Sequence, residues 1–187
     1  MPAGWWEYVA RAHFVGPKSD RELFRVLKRR RVSRLVEFGI GSIARATQII
    51  RVCQRFAEDG SVSYAALDWF EERPAGLPTV KLIEAHRQLK ATGAEVRLMP
   101  GGPTAGLPGI ANALTGTQLV VVSPDADERH LAAAWFYLPR MLAADALVLR
   151  GGYADSDDGD GPPVVWSIIP RAEIDRSARA NPASAAA

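Results

Sequence analysis

The 187-residue chain is short of several things. It has one cysteine, Cys53, which excludes an internal disulfide and a cysteine-cluster metal site and fits a reducing compartment. No apolar run reaches the roughly 20 residues that a membrane-spanning helix needs. Net charge is only +2, too weak a field to draw the chain to nucleic acid or to an anionic membrane. The three histidines follow no metal-ligand spacing, and no metal is expected. The opening residues, MPAGWWEYVARAHF, lack the basic-then-apolar layout of a secretory leader, so the expected location is cytoplasmic. No internal repeat occurs. What is present is ordinary for a globular domain: 48% apolar and 24% charged residues. A chain of this length is one domain as a prior and buries roughly 70% of its unfolded surface.

The pattern along the chain alternates. Trp5, Trp6, Tyr8, Val9, Ala12 and Phe14 mark a short amphipathic helix. Ser19 and Asp20 cap a second, with Leu23, Phe24, Val26 and Leu27 as its apolar stripe and a basic run, Lys28 to Arg31, suited to the C-terminal dipole. From Arg34 onwards five strands alternate with helices. The strands are Leu35–Phe38, Val62–Leu67, Glu95–Met99, Gln118–Ser123 and Ala146–Leu149. The helices are expected over Ile43–Ala57, Thr79–Ala91, Leu107–Leu114 and Asp127–Leu142. Val164–Ile169 is one more strand candidate. Such alternation predicts an α/β fold: a three-layer Rossmann-like sandwich, its sheet mostly parallel with helices on both faces, preceded by an N-terminal helical extension. The division is 1–33 for the extension, 34–176 for the domain and 177–187 for a loose tail. The acidic segment Asp155-Ser-Asp-Asp-Gly-Asp160 lacks the glutamate that closes a calcium loop and reads as solvated linker.

Val36-Glu-Phe-Gly-Ile-Gly-Ser42 stands at the junction of the first strand and its helix. Ligands of open parallel sheets bind beyond the carboxyl ends of the strands. Gly39 and Gly41 let the backbone turn sharply and a ligand approach, and the helix start offers unpaired N–H groups. Asp68 closes the second strand at the same sheet edge, where a carboxylate can accept both hydroxyls of a ribose. Two glycines alone are also what a ligand-free tight turn would carry. Glu37, Gly39, Gly41 and Asp68 together make a stronger signal.

These residues resemble the class I S-adenosyl-L-methionine (SAM) methyltransferases. Glu37-Phe-Gly39-Ile-Gly41 is similar to their first motif and Asp68 to their second-strand acid, over roughly residues 19 to 150. The resemblance implies SAM as cofactor. Glu37, Gly39, Gly41 and Ser42 would lie along its amino-acid part, Asp68 would hold its ribose, and Trp69 would sit near its adenine. Two features differ from the family pattern. There is no third glycine near Ser42 or Ile43, and Met99-Pro-Gly-Gly-Pro103 carries no acid after the third strand.

Gly39-Ile-Gly-Ser-Ile-Ala44 also fits the dinucleotide fingerprint, so an NAD-binding protein is an alternative. Against it, Asp68 lies 24 residues past Ala44 and little chain is left for a substrate region. A non-catalytic Rossmann-like module that binds a ligand or a protein is a third reading. At the end of the fourth strand, Ser123-Pro-Asp-Ala-Asp127 places Asp125 where an acceptor would arrive. Asp125 is the candidate catalytic base, or else Ser123, Asp125 and Asp127 cap the following helix. The expected partner is a small-molecule acceptor. Trp5 and Trp6 read as a lid or as an anchor, a homodimer is compatible with them, and neither membrane nor nucleic acid is expected as a partner.

Overall fold

Strand β1 (Arg34–Phe38) is buried along four of its five residues, and β2 (Ser63–Asp68) and β4 (Thr117–Val122) along five of six. Burial on both faces is what a central parallel strand requires. The remaining strands are β3 (Glu95–Pro100), β5 (Leu142–Tyr153) and β6 (Val164–Ile169). The computed structural model describes residues 20–126, 128–154 and 164–180, without the side chains of 128–130, 132 and 133. It joins the six strands into one sheet of order β3-β2-β1-β4-β5-β6. All neighbours are parallel except β6, which runs antiparallel to β5.

Side chains alternate across a strand, so each strand feeds two cores. One face takes Leu35, Tyr64, Ala66, Leu119 and Val121. It is covered by α1 (Asp20–Arg30), α2 (Ile43–Phe56) and α3 (Leu82–Lys90), through Leu23 and Leu27, Ile49 and Ile50, and Ala85 and Leu89. The other face takes Val36, Phe38, Leu67, Val120 and Val122. It is covered by α4 (Gly102–Ile110), α5 (Glu128–Met141) and α6 (Arg171–Ala180), through Leu107, Leu138 and Ile174. The result is the three-layer α/β sandwich expected from the alternation.

Several boundaries differ from the sequence reading. The helix expected at Leu107–Leu114 begins earlier, as α4, and the expected stretch ends in a 3-10 turn, Ala111–Leu114. α3 starts at Leu82 rather than Thr79. β5 reaches from Leu142 to Tyr153, well beyond Ala146–Leu149, because it pairs β4 through a register shift and then continues along β6. Ser177–Ala180, assigned to the tail, are the last residues of helix α6. α1, assigned to the extension, packs into the core of the domain. The readings of Trp5 and Trp6, of Asp127 and of the 155–160 segment lie outside the described residues. No helix among the described residues is long and apolar enough to cross a membrane.

Candidate functional site

β1 continues in sequence to β2 on one side and is flanked by β4 on the other, so the strand order reverses there. At such a switch point the connections leave in opposite directions and open a crevice beyond the strand ends. A cavity of about 270 Å³ lies there, lined by Phe38, Gly39, Gly41, Leu67, Asp68, Trp69, Arg73, Gly102, Pro103, Ser123 and Asp125, among others.

The glycine loop is built by steric exclusion. Gly39 and Gly41 have φ of 81° and 65°, the left-handed region that side chains disfavour. A Cβ on Gly39 would stand 2.9 Å from the Cβ of Ser123, and one on Gly41 2.6 Å from Nη2 of Arg45. The Gly39 N–H donates to the Leu67 carbonyl at 2.9 Å, which ties the loop to the end of β2. Gly39→Ala is therefore expected to destabilise the protein by about 2 kcal/mol or more, conformational strain adding to overlap. A denaturant midpoint equal to that of the wild type would show that the loop relaxes around the added methyl.

Asp68 is buried at the cavity floor and accepts four hydrogen bonds from the chain itself. Oδ1 takes the Phe70 N–H at 2.7 Å and Arg73 Nε at 2.8 Å. Oδ2 takes the Ile40 N–H at 2.7 Å and Arg73 Nη2 at 2.5 Å. Burial works to raise its pKa. The Arg73, Phe70 and Ile40 donors outweigh that and hold the carboxyl below the usual carboxylate range. The Phe70 N–H reaches back to Asp68 in a turn that places Phe70 at φ 51°, a conformation a bulky residue adopts at a cost of about 1–3 kcal/mol. Its fully buried ring offsets that cost. Trp69 projects from this turn against Gly102, where a Cβ would come within 3.0 Å of the indole nitrogen. The loop after β3 thus meets the cavity with glycine and proline, where the methyltransferase resemblance would have an acid.

Gly39, Gly41, Asp68, Trp69 and Asp125 all line the cavity. Glu37 and Ser42 are not among its lining residues. The Ser42 hydroxyl caps α2 by accepting from the Arg45 N–H at 3.2 Å. Glu37 follows the alternation of β1 and points under the α1–α2 layer, fully buried. Tyr64 Oη donates to its Oε2 at 2.5 Å, while Oε1 has no hydrogen-bond partner and lies 3.6 Å from Arg45 Nη2. Burial, opposed by Arg45 and Tyr64, pushes its carboxyl up to about 7.

At the other rim the Ser123 hydroxyl accepts from the Asp125 N–H at 3.4 Å, which shapes the turn after β4. The Asp125 carboxylate takes the phenol of Tyr153, from the end of β5. Burial, then Asp125, raise the Tyr153 pKa to about 12, so the phenol remains a donor. Arg73, Arg45 and Tyr153 are the site residues that sequence reasoning missed. Arg73 sits in an irregular loop, and Tyr153 lies 28 residues from its partner, so neither carries a periodic signal.

No protein-family model matches the chain, and no curated protein does. Solved structures do. Cofactor-bound Rv0187 from MTB aligns over 97% of this chain and 76% of its own length, at 15% identity and a TM-score of 0.50. At that identity the alignment shows a shared fold. The chain has a Rossmann-like α/β fold. A SAM-dependent methyltransferase from Clostridium acetobutylicum aligns over 95% of this chain and 84% of its own, at 14% identity and a TM-score of 0.48. One from Agrobacterium tumefaciens aligns over 73% of this chain at 11% identity and a TM-score of 0.49. This chain spans only 45% of the Agrobacterium protein.

Proposed function

We propose that this Rossmann-like protein is a SAM-dependent methyltransferase acting on a small-molecule acceptor. The observation that carries the reading is the cavity at the switch point, lined by Gly39, Gly41, Asp68 and Trp69 together with Ser123 and Asp125. Gly39 and Gly41 allow the tight left-handed turn that brings the loop to the cavity, and the adjacent indole of Trp69 would offer an apolar face to an adenine ring. SAM would supply the methyl group on its sulfonium. The chain's own part is to orient the acceptor and to receive a proton where the acceptor is protonated. Asp125, which accepts the Tyr153 phenol at one oxygen, would take the second task. Glu37, from β1, and Ser42, the N-cap of α2, would shape the loop rather than touch the ligand.

Calorimetric titration with SAM, S-adenosylhomocysteine and NAD in parallel tests this. Micromolar binding of the first two without NAD is expected, and an acceptor screen would follow. A preference for NAD would turn the reading to a dinucleotide protein. Binding of none would favour a non-catalytic module. Two features of the site support that second reading: the Asp68 carboxylate is already satisfied within the chain, and no acid follows β3.

A further inference from the structure

We propose that Arg73 is a displaceable stopper on Asp68, so that an adenosine ligand binds only after this arginine lets go. The inference rests on the cofactor reading above. A carboxylate offers about four acceptor positions, and all four here are taken. Two of the donors, the N–H groups of Ile40 and Phe70, belong to the backbone of the turns that end β1 and β2. They cannot leave without undoing those turns. The other two are Nε and Nη2 of one guanidinium, set side by side on Oδ1 and Oδ2. A ribose diol is likewise a pair of adjacent donors that would address both oxygens of one carboxylate. Arg73 therefore stands in the place of the diol.

Arg73 is also positioned to move. It belongs to the stretch between the 3-10 turn Phe70–Glu72 and α3, which has no regular structure. Its remaining anchors are two backbone carbonyl oxygens: Nη1 donates to Pro78 at 2.9 Å and to Gly41 at 3.4 Å. Pro74 and Leu77, in the same stretch, line the cavity. One side chain thus ties the glycine loop, the second-strand acid and the segment before α3 together. Releasing it frees the acceptor oxygens and loosens one wall in the same event. The apparent affinity for an adenosine ligand is the intrinsic affinity scaled down by the fraction of molecules in which Arg73 is released.

The test compares S-adenosylhomocysteine binding to the wild type, Arg73→Ala and Arg73→Gln by calorimetry, with circular dichroism as the check on folding. Both variants should bind more tightly, by roughly tenfold or more if the released state is a minor one. Arg73→Gln keeps part of the stem and a donor without the charge, and serves where alanine leaves the buried acid too exposed to fold. Equal or weaker binding by a folded variant, with the wild type binding, overturns the stopper and leaves the cofactor reading standing. Absence of binding in all three overturns both. The wild type provides a measurement that needs no variant. In ¹⁵N-labelled protein the Arg73 Nε–H resonance should be protected from exchange and should shift and lose protection as S-adenosylhomocysteine saturates the site. A resonance that stays in place at saturation refutes the proposal.

Discussion

Asp68→Ala is expected to destabilise the fold by about 3–5 kcal/mol, the scale for removing one partner of a buried ion pair. The side chains of Arg73 and Asp68 are only 7% and 3% exposed. Without the carboxylate the guanidinium stays buried with two fewer acceptors. The N–H groups of Ile40 and Phe70 also lose theirs, and both residues are fully buried. The left-handed turn at Phe70 loses the acceptor that anchors it. From the sequence alone, Asp68 looked like a ligand contact; its four internal hydrogen bonds give it a structural load as well. Asp68→Asn keeps the volume and one acceptor oxygen and should lose less. Arg97, whose ion pair with Glu95 is about half exposed, provides the contrast: Arg97→Ala should cost no more than about 1 kcal/mol. Urea denaturation of the variants checks all of this, and an Asp68→Ala loss no larger than the Arg97→Ala loss would remove the structural role. The lowered pKa of Asp68 adds a sign. Its contribution is present above the ordinary aspartate value of 3.8 and is lost as the pH falls through the lower folded value.

Glu37→Gln should act in the opposite direction. The Glu37 carboxyl is raised from 4.5 to about 7 because burial disfavours its charge more than Arg45 and Tyr64 favour it. Below pH 4.5 the group is protonated whether the chain is folded or not, and no penalty applies. As the pH rises towards 7 the unfolded chain releases its proton while the folded chain holds it, so stability falls across that window and levels off above it. The shift corresponds to roughly 3 kcal/mol. An amide has no proton to lose. Glu37→Gln should therefore track the wild type near pH 4.5 and exceed it by roughly 3 kcal/mol at pH 8. Unfolding free energies measured at both pH values decide it, and identical pH dependence in the two proteins would show that Glu37 is ionised in its pocket.

The parts of this protein that were legible in its sequence are those governed by local rules. The run Gln118 to Val122 announces a strand buried on both faces, because three adjacent β-branched valines favour extended backbone and leave neither face polar. Gly39 and Gly41 announce the turn after β1, because only glycine enters left-handed backbone freely there. Asp68 is legible as the end of β2, since the apolar run stops at it. Helix α4 was only half legible, because Gly102-Pro-Thr-Ala-Gly-Leu-Pro-Gly-Ile110 has no helical stripe and is held by packing Leu107 against the sheet. The full reach of β5 came from pairing to β6, which no local pattern announces. The sequence determined the order of strands and helices and the edge at which a site would form. The tertiary structure alone decided what that site is made of. It set Arg73 against Asp68, Tyr153 against Asp125, and Glu37 beneath the loop rather than in the cavity. Each of those outcomes depends on which atoms two separate segments bring within hydrogen-bond distance, and a linear pattern holds no record of distance between segments until the sheet has assembled.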